Sequence, residues 1–150
     1  MARAIRTAVI EAPIEDLWET IRPFDGLPAW HPLCPDTHIE GGGSPLAIGG
    51  VRKIKQTDGN EFRERLLALS DREHSQTYML IDPPRSVTSM VTTMRLYPIT
   101  DGNGSYLWWS SEIAAAKKED EASFVKFVED AYMIGIRNLQ KIFGGQTAAP

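Results

Sequence analysis

One cysteine, Cys34, occurs in 150 residues. It can form no internal disulfide, and without a second thiol there is no CxxC pair for a metal or a redox couple. Flanked by Pro32 and Pro35, Cys34 reads as a small half-buried residue. Long apolar runs are absent too: nothing approaches the roughly eighteen residues of a membrane helix. Met1 to Pro13 carries Arg3 and Arg6 but no apolar stretch of signal-peptide length. We therefore expect a cytoplasmic protein with no membrane span. Basic clusters are also missing. The chain carries 16 Lys and Arg against 20 Asp and Glu, a net charge of −4. Phosphate contacts, on which nucleic-acid binding rests, have no patch to come from, so no nucleic-acid partner is expected. His31, His38 and His74 lack metal-ligand spacing, and no HExxH or phosphate-cradling glycine loop occurs. Gly41-Gly42-Gly43 precedes Ser44-Pro45 rather than a helix, and reads as a turn. Neither a metal nor a cofactor is expected.

What is present is enough apolar residue, 42%, for one core without staples. No linker or repeat divides the chain, so residues 1–150 read as a single domain, with a disordered tail expected over 145–150. Arg3–Ile10 alternates as a first strand. Pro13 then opens a helix in which Glu15 and Asp16 favour the positive N-terminal end, and Ile14, Leu17, Trp18 and Ile21 make one apolar stripe that stops before Pro23. Phe24–Pro35 holds too many breakers for a long element and reads as a kinked connector with a short buried helical turn. Strand patterns follow at Val51–Thr57, Glu61–Leu69, Gln76–Ile81, Thr88–Tyr97 and Tyr106–Ile113. The turns between them, such as Asp58-Gly59-Asn60 and Asp101-Gly102-Asn103-Gly104, imply antiparallel hairpins. From Glu121 to Phe143 the period changes to 3.6, with Phe124, Phe127, Val128, Ala131, Gly135, Leu139 and Ile142 on one broad face. The fold class is α+β: about seven antiparallel strands curved around a long C-terminal helix, with two short helices between the first two strands.

These residues resemble the START-like, polyketide-cyclase and pollen-allergen superfamily (SRPBCC), which has this order of elements. The likeness spans roughly residues 3–143. It is carried by Ala12-Pro13-Ile14-Glu15-Asp16-Leu17-Trp18, Trp30-His31-Pro32, Gly50-Val51-Arg52, Glu64-Arg65-Leu66-Leu67-Ala68-Leu69 and Gly135-Ile136-Arg137-Asn138-Leu139. It implies a helix-grip fold of the polyketide cyclase/dehydrase-like branch. A partial likeness to plant abscisic-acid receptors lies in Phe24-Asp25, in Glu64-Arg65-Leu66 and in Leu69-Ser70-Asp71-Arg72-Glu73-His74. Where those receptors carry a Ser-Gly-Leu-Pro-Ala gate this chain has Asp58-Gly59-Asn60-Glu61-Phe62, and where they carry a His-Arg-Leu latch it has Arg85-Ser86-Val87. Hormone perception is not implied.

Strand parity nominates an interior. Glu64 shares a face with Phe62, Leu66 and Ala68, and a carboxylate among apolar neighbours needs either a raised pKa or a buried cation. Arg52, in parity with Ile54, could be that cation. The pair then reads either as a structural bridge or as a ligand anchor. Tyr78 and Leu80, then Met90, Thr92, Met94 and Leu96, then Leu107, Trp109, Ser111 and Ile113, form three further inner faces. Met and hydroxyl groups mixed in this way suit an adaptable cavity, and an ordinary, somewhat polar core accounts for them as well. Gly135 with Ala131 thins the helix face, either to leave ligand space or to allow close packing, and Phe127 flanks it. His31 reads as a surface or capping residue, with a general base as the lesser alternative. The expected site is an elongated cavity bordered by Trp30, Arg52, Ile54, Glu64, Tyr78, Met90, Thr92, Trp109, Phe127, Ala131 and Gly135. No residue is assigned a catalytic role.

The resemblance implies binding of a small hydrophobic molecule, aromatic, polyketide-like or lipid-like, by a monomer or homodimer. An alternative is a cyclase or dehydratase, a lyase or isomerase in which Arg52 polarises a carbonyl and Glu64 or Tyr78 moves a proton. A second alternative is a protein-interaction module of the co-chaperone-activator kind, which calls for an apolar outer patch.

Overall fold

The computed structural model describes residues 1–84 and 86–144. The tail expected over 145–150, and Arg85 of the latch comparison, lie outside the described residues. The order is β1 (Ala2–Ile10), α1 (Ile14–Ile21), a 3-10 turn (Leu27–Ala29), β2 (Asp36–Ile39), a second 3-10 turn (Glu40–Gly42), β3 (Val51–Lys55), β4 (Glu61–Ser70), β5 (Ser75–Ile81), β6 (Val87–Pro98), β7 (Ser105–Ala115), a third 3-10 turn (Lys118–Asp120) and α2 (Glu121–Gly144). All pairings are antiparallel, in the order β1-β7-β6-β5-β4-β3-β2. The fold is therefore a curved, open seven-stranded sheet with a long C-terminal helix.

Local chemistry explains the connections. Gly59 takes a φ of 90°, a region open to glycine, and the Asp58 carboxylate accepts the Asn60 N–H at 2.9 Å, so the β3–β4 hairpin turns where Asp58-Gly59 stands. α1 buries Leu17, Trp18 and Ile21. Its outer end is pinned to the β4–β5 turn, where Asp71 accepts from Trp18 Nε1 at 2.9 Å and from Arg22 Nε at 2.7 Å. β2 carries no strand pattern of its own. It has only four residues, wedged between Pro35 and the glycine turn, and is defined by pairing with β3 rather than by alternation.

α2 packs against β1 and β7. It also covers part of β1's free edge: Glu129 Oε2 accepts the Ile5 N–H at 3.0 Å, and Gln140 Nε2 donates to the Val9 carbonyl at 3.2 Å. Edge groups satisfied by a helix are poor templates for another strand.

Two details of register differ from the pattern reading. A bulge between Leu66 and Ala68 shifts the β4–β5 pairing by one residue. A one-residue slip reverses facing, so Ala68 is exposed while Leu69 packs against the core. On α2 the buried stripe is Val128, Tyr132, Gly135, Ile136 and Leu139. Phe127 is 41% exposed and Ile142 48%, so both lie off that stripe. Leu139→Ala should accordingly cost about 2–5 kcal/mol in urea unfolding, as a core truncation does. Ile142→Ala on the same helix should stay within about 0.5 kcal/mol, as a surface change does.

Candidate functional site

A cavity of about 90 Å3 lies between α2 and the inner faces of β3 to β7. Of the expected residues, Arg52, Ile54, Glu64, Tyr78, Met90, Trp109, Phe127 and Ala131 line it. Trp30, Thr92 and Gly135 do not. The cavity is also smaller than the elongated space that parity suggested, and Gly135 gives one reason. A Cβ there would meet His31 Cδ2 at 2.8 Å and Trp30 Cζ3 at 3.0 Å, so the glycine admits the connector into contact with α2 rather than leaving a void. Trp30 is held behind the cavity wall with its ring 5.5 Å from that of Trp109.

At the polar end sits Arg52, 3% exposed and directly opposite Glu64 in the β3–β4 pairing. Its Nε donates to Glu64 Oε1 at 2.8 Å, and Nη2 lies 2.7 Å from the same oxygen. Nη1 donates to the Phe24 carbonyl at 3.0 Å. The guanidinium packs against two neighbouring rings, with Cζ 4.1 Å from the centroid of Phe24 and 4.6 Å from that of Tyr78, the two centroids being 5.7 Å apart. Burial works most strongly against the cation, yet Glu64, through its charge and hydrogen bond, together with Tyr78 and Cys34 holds the Arg52 pKa above its ordinary value.

Aromatic side chains form the middle of the site. Trp109 Nε1 donates to the Tyr78 hydroxyl at 3.2 Å, and the Trp109 and Tyr132 rings stack at 4.0 Å and 15°. Tyr132 is anchored through its hydroxyl to Ser111, whose Oγ lies 2.7 Å from Thr92 Oγ1. Thr92 thus supports a lining residue without reaching the cavity. Burial raises both tyrosine pKa values above the ordinary range.

His31 is buried, not at the surface. The Leu33 N–H donates to its Nδ1 at 3.3 Å, so Nε2 carries the proton and donates to the Ala131 carbonyl at 3.0 Å. Burial, reinforced by the Arg52 charge and opposed by that hydrogen bond, pushes its pKa down to about 4. Cys34 is likewise buried, and burial pushes its thiol up to about 11. His31, Cys34 and Leu27 all line the cavity, and connector patterning missed them as site residues. A signal existed: Phe24, Leu27, His31 and Cys34 recur every three to four residues with Trp30 beside His31, and all five are buried. Pro28, Pro32 and Pro35 masked it.

The far end of the cavity is apolar, with Leu80, Met90 and Val128 among its walls. Phe62, Phe124 and Phe127 line both this cavity and an outer groove of about 420 Å3 that reaches Asn60, Asp82 and Pro84. Among the described residues no three His, Cys, Asp or Glu side chains are grouped to hold a metal ion, and no helix is long and apolar enough to cross a membrane.

With this geometry in hand, comparison with known proteins identifies the lineage. Residues 1–144 match the family described as polyketide cyclase/dehydrase and lipid transport, and the chain belongs to it. No curated protein matches. Among solved structures, the chain is similar to an uncharacterized protein from Bacillus thuringiensis at 30% identity and TM-score 0.80, over 95% of this chain and 98% of that one. It is similar to the protein XoxI from Bacillus cereus at 29% identity and TM-score 0.82, over 95% and 96%. The major latex-like protein 151 of Panax ginseng, at 16% identity and TM-score 0.75 over 95% and 97%, shares the fold. The helix-grip superfamily is therefore the right one.

The buried His31 makes stability depend on pH. Its folded pKa of about 4 lies below the ordinary 6.5, so the unfolded chain binds the extra proton first as pH falls. Stability from this residue is whole above pH 6.5 and declines toward pH 4, by about 3 kcal/mol in all. Urea midpoints measured between pH 7 and 4 should show this slope, and His31→Gln should flatten it.

Proposed function

We propose that the chain binds a small hydrophobic molecule in the cavity between sheet and α2 and returns it unchanged. One observation carries this reading: the cavity is largely apolar-walled, and among the described residues its only formal charges, Arg52 and Glu64, neutralise each other inside it. Membership in a family described by cyclase/dehydrase chemistry and lipid transport supports a hydrophobic cargo. Acid–base work at neutral pH calls for a group that titrates there. His31 is moved down to about 4, Cys34 up to about 11 and both tyrosines further up, which favours holding over turnover.

Size narrows the cargo. Drug-sized sites enclose about 300–1,000 Å3, whereas this one offers about 90 Å3. A single aromatic ring or a short branched chain suits it as it stands. A longer polyketide-like or lipid-like molecule would have to pass Phe62, Phe124 and Phe127 and extend into the outer groove. Such a molecule would be met in the cytoplasm.

Native mass spectrometry of freshly purified protein tests the reading. The expected result is a mass above that of the bare chain, lost on mild activation and absent from Ala131→Phe, in which a ring fills the cavity. A bare chain in both proteins, or an adduct unaffected by Ala131→Phe, would refute it.

A further inference from the structure

The charge pair at the end of the cavity does more than neutralise itself, because it is lopsided. Both contacts from Arg52 fall on Glu64 Oε1, and among the described residues no hydrogen bond reaches Oε2. Glu64 lines the cavity with a side chain only 12% exposed. A carboxylate oxygen so placed is an acceptor without a protein donor, and because it is not among the fully enclosed unpartnered atoms it is open to a molecule entering the cavity.

Tyr78 completes the arrangement. It is the diagonal neighbour of Glu64 across β4 and β5, since Glu64 pairs with Leu80 and Leu66 with Tyr78. Its hydroxyl accepts from Trp109, and its own proton has no acceptor among the described residues. The cavity thus presents one acceptor, Glu64 Oε2, and from the diagonal position on the neighbouring strand one donor, the Tyr78 O–H. A single hydroxyl satisfies both, giving its proton to the carboxylate and receiving one from the tyrosine.

Charge decides what the site rejects. A carboxylate ligand would bring a second anion beside Glu64 in an apolar enclosure. Among the described residues lining the cavity the one cation, Arg52, is already matched by Glu64, with Nε and Nη2 on that carboxylate and Nη1 on the Phe24 carbonyl. A buried anion without a free partner is strongly disfavoured. An ammonium ligand would bring a second cation near Arg52 and shed its hydration among apolar walls.

We propose that this cavity selects small uncharged molecules bearing a hydroxyl, of the phenol class, anchors the hydroxyl between Glu64 Oε2 and Tyr78, and excludes the matching carboxylates. This rests on the reading of the cavity as a ligand site and deepens it. It also assigns roles: Arg52 orients Glu64 and stays out of contact with the ligand, and Glu64 and Tyr78 are the residues that set specificity.

Three probes of one ring each test it: phenol, toluene and benzoate, titrated at pH 7 by protein-observed NMR with Ala131→Phe as the blocked control. Phenol should bind at least tenfold more tightly than toluene, as a hydrogen bond to a charged acceptor implies, and benzoate should not bind at accessible concentrations. Toluene equal to phenol, with both lost in Ala131→Phe, would overturn the proposal while leaving the cavity as a ligand site. So would benzoate binding as tightly as phenol. No binding by any probe, or binding that survives Ala131→Phe, would overturn the cavity reading and the proposal together. Tyr78→Phe supplies a second readout that spares the ion pair: the preference for phenol over toluene should fall severalfold, and an unchanged preference would count against the anchor.

Discussion

A guanidinium inside a protein must be matched on every side or it destabilises what surrounds it, and Arg52 is matched by four groups from three parts of the chain. Glu64 on the neighbouring strand supplies charge, the Phe24 carbonyl supplies an acceptor, and the Phe24 and Tyr78 rings pack against the guanidinium. Much of the remaining architecture follows from that requirement. The β3–β4 register must place Arg52 opposite Glu64. The connector after α1 must bring Phe24 inward, which commits Leu27, Trp30, His31 and Cys34 to the interior behind it.

Once inside, the connector sets where α2 can lie. His31 donates to the Ala131 carbonyl, Asn138 Nδ2 donates to the Trp30 carbonyl at 2.8 Å, and Gly135 opens the gap into which Trp30 and His31 fit. The helix is thus seated by polar contacts on one side and by the Trp109–Tyr132 stack on the other. What is left between the seats is the cavity. Its modest volume is a consequence of how tightly the connector is drawn in.

Elements that depend on local rules were legible in the sequence. The Asp58-Gly59 turn, the acidic first turn and apolar stripe of α1, and the inward parity of Met90, Thr92, Met94 and Leu96 each follow from a short-range periodicity or a backbone requirement. The Arg52–Glu64 bridge was legible as one of two possibilities, because parity brings the residues to one face without saying which atoms meet. Three features were not legible. The bulge at Leu67 has no sequence marker and reverses Ala68. β2 exists only through its partner. The proline-rich connector hid a buried stripe whose spacing is helical in a segment that cannot be a helix, so His31 looked like a surface residue. Gly135 is buried against the connector's Trp30 and His31 and does not border the cavity, because whether a glycine makes room for a ligand or for another ring depends on what the rest of the chain brings to it.

The central claim is that Arg52 and Glu64 act as one buried unit on which strand register, connector and cavity all rest. A double-mutant cycle on folding stability, with Arg52→Met, Glu64→Leu and the two combined, tests it most directly. Each single change should cost about 3–5 kcal/mol by leaving a buried charge unpaired. The double change should cost less than the two together by at least about 2 kcal/mol. Single costs below about 1 kcal/mol that simply add in the double variant would contradict the account.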